Sequence, residues 1–369
     1  MNSPPMLELL ETLVRHESPS REKPSLDRLG GLLAELLRDR GGAVERIANP
    51  EGGDHVLARF PGPDAVRPAL VIGHFDTVWP LGTLATMPFR IEEGRAYGPG
   101  IYDMKAGLTI FLDAIAERVK KRPRPIWALF TSDEEIGSPT SRTLIEDLAR
   151  ECAYALVLEP PMADGSLKTA RKGVGRYLLA VEGKAAHAGV APQEGRSAII
   201  ELAHQILDIQ KLQDLEAGTT LNVGVIRGGT TTNVVPASAS ADIDVRSTSI
   251  AEAERIDLAL RSIQAVTPGT RLSISGGFNR PPMERSPAVV GLFEQARRIG
   301  RTLGLELIEG ATGGGSDGNF TAAAGLPTLD GLGVLGHGAH ALDEHIVIES
   351  LPERSALLAA LLSKLQVEL

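Results

Sequence analysis

A layered α/β fold with a largely buried, partly parallel sheet, interrupted by a smaller inserted α+β layer, is predicted from three observations on this 369-residue chain. Short apolar runs alternate with helical patterns up to Gly173, the grammar of an α/β layer. The texture then changes to period-two strands around two long helical stretches, and the first alternation resumes after Pro281-Pro282. The length fits about two domains, and a 43% hydrophobic content supplies their cores.

The elements follow in order. Leu7, Leu10 and Val14, then Leu26, Leu29, Leu33, Leu36 and Leu37, recur at helical spacing and predict two amphipathic helices broken at Ser18-Pro19-Ser20. Strand-like runs come next: HVLARF (55–60), ALVIGH (69–74), PIWALFT (125–131) and AYALVL (153–158), with helical patterns near 106–120 and 139–150. GRYLLAVEG, TTLNVGVIRGG, ASADIDVRS and TRLSISGG alternate with period two, and helical stretches at 196–214 and 250–266 lie among them. Strand, helix, strand, strand, helix, strand predicts a split βαβ sandwich, a sheet on one face and two helices on the other. A helix near 286–303, the glycine-rich ATGGGSDGNF, the short strand GLPTLDG and a last helix from about 350 complete the chain. The economical division is one discontinuous α/β domain, 1–173 with 284–369, and an inserted domain, 174–283.

Composition narrows the function. Aromatic content is 4%, with 40 glycines and 24 prolines, which indicates tight turns and no repeat or disordered linker. The formal charge of -9 argues against nucleic-acid binding and leaves acidic residues as candidate metal ligands. Cys152 is the single cysteine, so an intrachain disulfide and a thiolate zinc site are both excluded, and any metal is held by His, Asp and Glu. MNSPPMLELLETLV lacks a basic stretch followed by an apolar one, and no window approaches 18 apolar residues without a charge. The expectation is a cytoplasmic protein with neither membrane nor nucleic-acid partners.

Polar clusters recur where apolar strands stop. His74 and Asp76 follow ALVI, Glu134 and Glu135 follow PIWALF in FTSDEEIGS, and Glu159 follows AYALV. YGPGIYDMKAG adds Asp103, and GHGAHALDEH adds His337, His340 and His345. Ligands of open α/β sheets bind beyond the carboxyl ends of the strands, so these groups are expected in one crevice. Singly each has a plain explanation as a cap, turn or surface residue; as a set they suit Zn²⁺, with Mn²⁺ or Co²⁺ as substitutes. Two His and three carboxylates match a pair of ions about 3.5 to 4 Å apart bridged by one carboxylate. Asp76, two residues from His74 on the same side of the strand, is positioned to accept the second imidazole N–H. Asp133 reads as a turn or supporting residue.

HFDTVWPLG, GPGIYDMKAG, TSDEEIGS, LEP, KAAHAG, TTTNVVPASASADIDVR, TGGGSDGNF and HGAHALDE together resemble, in order and spacing, the bacterial glutamate carboxypeptidases. These belong to a wider group of di-zinc amidohydrolases that includes aminoacylase, acetylornithine deacetylase and succinyl-diaminopimelate desuccinylase. The resemblance implies a di-zinc exopeptidase-type catalytic domain with a mixed sheet flanked by helices, and an inserted lid and dimerisation domain. It implies two Zn²⁺ per subunit, with Asp103 as the bridge, His74 and Glu159 on one ion, and Glu135 and His340 on the other. Glu134 is then the general base acting on a metal-bridged hydroxide, and Asp76 the orienting partner. His187 is similar to the lid histidine that reaches the neighbouring subunit's site, Asn233 to a second lid residue near substrate, and Arg280, Thr312 and Gly315 to the cradle of the substrate's terminal carboxylate.

The implied activity is zinc-dependent hydrolysis of the amide bond to a C-terminal amino acid, glutamate, of peptides or folate-like N-acyl conjugates by a homodimer. The alternative is an N-acyl-amino-acid deacylase. Asp103-Met104-Lys105-Ala106-Gly107 departs from the Asp-Asp-Lys-Gly-Gly of folate-cleaving relatives, and a cis peptide after Asp103 is expected by analogy. Lys168, Arg171 and Lys172 read as exposed turn cations, with a substrate-facing role as the alternative.

Overall fold

Alternation along one buried strand sets the layers of the larger unit. Every residue of Ala69–His74 is buried; Ala69 and Val71 enter one apolar core, Leu70 and Ile72 another on the opposite face, as a period of two requires. The computed structural model describes residues 3–118 and 123–366, and the chain divides into two units. The first comprises residues up to Ala170, Arg285–Thr312 and the stretch from Ser316 onward; the second comprises Arg171–Glu284 with Gly313–Gly315.

In the first unit a six-stranded sheet runs Ala43–Ile47, His55–Phe60, Ile126–Thr131, Ala69–His74, Tyr154–Val157, Thr328–Leu329. The last four are parallel neighbours, while His55–Phe60 pairs antiparallel on both sides. Helices Ser3–Arg15, Lys23–Asp39, Ala106–Asp113, Pro287–Arg301 and Ser350–Lys364 share the larger core through Leu10, Leu33, Leu108, Leu292 and Leu358. Helices Arg142–Glu151 and Gly318–Ala323 cover the other face with Ile145, Leu148 and Phe320. Each fully buried side chain of this kind contributes about 2 kcal/mol of transfer free energy.

The second unit is a four-stranded antiparallel sheet, ordered Thr220–Gly228, Ser238–Ser247, Gly173–Glu182, Arg271–Arg280. Helices Ala198–Gln210 and Ile250–Arg261 pack on it through Leu202, Ile209, Ile256 and Leu260. Ser197 and Ser249 cap them, accepting from the N–H groups of Ile200 and Glu252, the usual answer to the free donors of a first turn.

Several expected boundaries move. The inserted unit begins at Arg171 instead of 174 and ends at Glu284 instead of 283, and it takes in Gly313–Gly315. Arg171 and Met283 exchange backbone hydrogen bonds, each 3.0 Å, and the Arg171 guanidinium donates to the carbonyls of Gly314 and Gly315, both at 3.2 Å. The helix expected to reach 266 stops at Arg261. Buried Glu201 accepts from the backbone N–H of Val266 and of Thr267, drawing the chain off the helical path. The 196–214 stretch ends at Gln210 because Asp214 and Thr219 pair across a turn into the next strand. Of the 106–120 pattern, Ala106–Arg118 is helical and residues 119 and 120 lie outside the described residues.

Candidate metal centre

The parallel strands finish side by side. His74 is in register with Thr131, and Ile72 with Val157, so Asp76, Glu134, Glu135 and Glu159 emerge along one carboxyl edge. Asp103 arrives from the segment after Gly100, whose φ is +69° and where a Cβ would stand 2.4 Å from Thr77 Cγ2; glycine is required there. The Asp103–Met104 peptide is cis. Helix Ala106–Asp113 starts hard against the strand end, since a Cβ on Gly107 would lie 2.2 Å from the Leu158 carbonyl oxygen.

Two triads with donor atoms within 4.8 Å of one another result: His74, Asp103 and Glu159, and Asp103, Glu135 and His340. His74 Nε2 lies 3.1 Å from Asp103 Oδ1 and 3.5 Å from Glu159 Oε1. His340 Nε2 lies 3.5 Å from Asp103 Oδ2 and 3.1 Å from Glu135 Oε2. His74 is buried while the His340 side chain is half exposed. The φ of His340 is +62°, an uncommon conformation for a residue with a Cβ and frequent at functional sites.

The electrostatics are those of a crowd of anions with too few positive partners. Burial pushes the His74 imidazole down, but its hydrogen bonds with Asp103, Asp76 and Glu159 carry it well above its ordinary value. Hydrogen bonds to Asp103 and Glu135 raise His340 to about 11. Burial raises Glu135 to about 7, with nearby Asp103 adding to it against the hydrogen bond from His340. Glu135 Oε1 is buried without a hydrogen-bond partner, and such an orphaned oxygen calls for a cation. Imidazole and carboxylate donors without thiolates suit Zn²⁺, Mn²⁺ or Co²⁺. The residues present therefore fit a metal centre.

Three carboxylates outside the triads hold the edge in place. Asp76 Oδ1 lies 3.3 Å from His74 Nδ1; its two oxygens also accept from the backbone N–H groups of Glu134 and Glu135, each at 3.2 Å, and from Ser20 Oγ at 2.7 Å. Asp133, buried, accepts from the hydroxyls of Thr140 at 2.7 Å and Ser141 at 2.6 Å and from both backbone N–H groups. It thus ties the short turn Glu134–Ile136 to the start of helix Arg142–Glu151. Glu344 escaped the sequence reading. It is fully buried and accepts from Trp79 Nε1 at 2.8 Å, from Gly100 and Tyr102 N–H at 2.9 Å and from Asp103 N–H at 3.1 Å. The only signal for it was its place in HGAHALDE.

Glu134 stands beside Glu135 in the same turn and belongs to neither triad. His337 and His345 pair across two short strands, outside both triads. Of the remaining candidates, Thr312 ends a strand of the first unit, and the others belong to the second. There, His187 and Asn233 are exposed on loops joined by the Ala188 N–H to Asn233 carbonyl bond at 2.9 Å and by pairing of His187 with Val234. Arg280 is buried, and a Cβ at Gly315 would press to 2.6 Å from its Cδ. The reading of Lys168, Arg171 and Lys172 as exposed turn cations is wrong: Leu167–Arg171 is a strand, Lys168 and Arg171 are buried, and Lys172 Nζ donates to the Gly218 carbonyl. The mixed pattern LKTAR concealed a strand whose cations are held by the protein.

Known proteins resemble this chain over most of its length. The model of peptidase family M20/M25/M40 matches residues 70–364. Carboxypeptidase G2 of Pseudomonas sp. (strain RS-16) is 31% identical, with 98% of this chain and 89% of that protein covered. A succinyl-diaminopimelate desuccinylase of Delftia acidovorans is 29% identical, covering 91% of this chain and 92% of its own. In fold, the aminopeptidase PepT of Bacillus cereus superposes with a TM-score of 0.80 at 24% identity over 98% of each chain. An M20 metallo-carboxypeptidase of Sulfolobus solfataricus gives 0.73 at 20% identity, over 97% of this chain and 98% of that one. With the α/β architecture, the strand-end cluster and these matches together, the chain belongs to peptidase family M20/M25/M40 and is a metallohydrolase.

Proposed function

We propose that this metallohydrolase is a carboxypeptidase that releases a C-terminal amino acid, glutamate, from peptides or folate-like N-acyl conjugates. The observation that carries the reading is the pair of triads sharing Asp103, with a further carboxylate, Glu134, beside Glu135 in the same turn and outside both triads; the likeness to carboxypeptidase G2 supports release at a C-terminal end. His74, Asp103 and Glu159 would hold one ion, and Asp103, Glu135 and His340 a second, zinc in each case. Divalent ions there supply Lewis acidity toward the scissile carbonyl and toward the attacking water.

The chain's own residues do the rest. Asp76 fixes the His74 tautomer and, through the two backbone N–H groups it accepts, the aim of the Glu134–Glu135 turn. Glu134 takes the proton of the attacking water and passes it to the departing amine. Arg280 grips the terminal carboxylate of the substrate bidentately, which restricts cleavage to the chain end. Thr312 and Gly315 complete that cradle, and the absence of a side chain at Gly315 leaves room for the Arg280 stem. His187 donates to the developing oxyanion in the neighbouring subunit of a homodimer, with Asn233 near the substrate.

Dimerisation through the second unit is supported by its surface. Thr220–Gly228 is an edge strand with Val225 and Ile226 exposed, and helix Ala198–Gln210 exposes Ile199, Ile200 and Leu207; open edges and apolar faces of this kind are commonly covered by a second copy.

Metal analysis together with a hydrolysis panel tests the proposal. Two zinc ions per chain and turnover of benzoyl- or pteroyl-glutamate above acetylated neutral amino acids are expected. The likeness to a desuccinylase favours the second reading, an N-acyl-amino-acid deacylase. Good turnover of acetylated neutral amino acids with none of any glutamate conjugate would establish it in place of the first.

A further inference from the structure

A cavity of about 370 Å³ opens in the first unit beside the triads, and Glu135 forms part of its lining. The rest of its wall is mostly apolar: Pro19, Val78, Pro80, Leu81 and Ile136. Val78, Leu81 and Ile136 are 43%, 50% and 37% exposed. Single exposed apolar residues are ordinary on a protein surface; three that converge on one concavity next to a cluster of metal-binding groups are not.

The cavity is held open by bonds on each side of its wall. Trp79 Nε1 is anchored on the Glu344 carboxylate, which also holds the Asp103 segment. Past Leu81, the N–H groups of Gly82 and Leu84 both donate to Glu17, each at 2.9 Å. On the opposite side, Thr77 N–H donates to the Ser18 carbonyl at 2.8 Å, and Ser20 Oγ donates to Asp76. The loop 77–82 is thus pinned at both ends and along its flank while its apolar side chains face solvent, a preformed site that needs little ordering on binding.

We infer that this cavity receives the acyl side of the scissile amide, and that it selects an uncharged apolar group of about the size of hexanoyl or benzoyl. This rests on the carboxypeptidase reading above: Glu135, shared between cavity and triad, puts the cavity next to the carbonyl under attack, and with the terminal carboxylate of the substrate assigned to Arg280 the acyl side is the part that remains to fill it. The charge at the rim supports an uncharged occupant. Arg21 and Glu22 line the cavity with opposite charges, and Glu135 adds a second carboxylate to the wall, so the protein offers no net positive field to favour a succinyl-like acid.

Calorimetric binding of the acid products to the zinc-loaded protein tests the inference without requiring turnover. Hexanoate and benzoate are expected to bind at least about tenfold more tightly than acetate, since each buried methylene contributes up to about fourfold, and more tightly than succinate. Leu81→Ser, at a half-exposed position that does not endanger the fold, should cut the hexanoate-to-acetate ratio to about threefold or less. Val78→Phe should lower the same ratio by filling the space. Ile91→Ser, at an equally exposed position outside the cavity, should leave it intact. Equal binding of acetate and hexanoate, a preference for succinate, or a preference that survives both cavity variants overturns the inference. A hexanoate preference lost in Leu81→Ser, in a protein that hydrolyses no amino-acid conjugate, would uphold the cavity and refute the carboxypeptidase reading; turnover of glutamate conjugates with no acyl preference would do the reverse.

Discussion

Glu134 and Glu135 are neighbours in one turn, yet their surroundings set them different tasks. Glu135 is buried against His340 with one oxygen unpartnered, whereas Glu134 belongs to neither triad. Glu134→Gln should therefore lower amide hydrolysis by about a thousandfold while metal content, measured by atomic emission, stays at the wild-type level. Loss of metal in that variant would move Glu134 into the ligand set. Glu344 acts at one remove. In Glu344→Gln one acceptor oxygen becomes an N–H₂ facing backbone N–H groups, leaving buried donors unmatched at a cost of about 1–3 kcal/mol. The urea midpoint should fall, and zinc affinity, read by chelator competition, should weaken about 10- to 100-fold as Asp103 loses its support. His74 and Glu159 were legible in the sequence because each closes an apolar run, and Glu135 because it stands a few positions past one; Asp103 and His340 stood out only through the motifs YGPGIYDMKAG and GHGAHALDEH. Glu344 was not, because its partners are mainly backbone N–H groups of Gly100, Tyr102 and Asp103, more than 240 positions away, and nothing in a side-chain pattern records such bonds.

At the level of elements, the long buried strands and amphipathic helices could be read from periodicity, since Ala69–His74 and Ile126–Thr131 are apolar almost throughout. The short ones could not. Ala43–Ile47 is largely exposed, and Arg90–Glu92, Arg95–Tyr97 and His345–Val347 have only three residues each, too few for a period to emerge. Helix Ile250–Arg261 shows how a legible element is secured by an illegible contact. In its first turn Glu252 accepts from Thr219 Oγ1 at 2.6 Å and from the Arg255 guanidinium at 2.8 Å. Those bonds, to Arg255 first and then Thr219, lower its carboxyl to about 2. Because the folded value lies below that of the unfolded chain, the unfolded chain binds the proton more readily. The stabilisation is complete above the ordinary carboxyl range and is lost as pH falls toward 2. Glu252→Gln should consequently lower the urea midpoint at pH 7, and the gap from wild type should close steadily below about pH 4. A gap independent of pH would mean that the side chain acts by packing alone.

Across the whole molecule, the two units carry different parts of the proposed chemistry, and they can be inactivated separately. The triads and Glu134 lie in the first unit, His187 and Asn233 in the second. If His187 serves the neighbouring subunit, a heterodimer of Glu134→Gln and His187→Ala chains contains one site with both defects and one with neither. Mixing the two inactive variants under conditions that exchange subunits should then restore activity, to about a quarter of wild type for random pairing of equal amounts. The pairing should depend on the apolar surface of the second unit, so Ile200→Asp with Leu207→Asp on its exposed helix face should yield a monomer by light scattering, with hydrolysis lost and zinc content retained. Two results would each return His187 to its own chain: no restoration on mixing variants that demonstrably exchange, or a monomer that hydrolyses at the wild-type rate. Zinc retained by an inactive monomer would separate the two requirements, a metal centre complete within one chain and an oxyanion donor supplied by another.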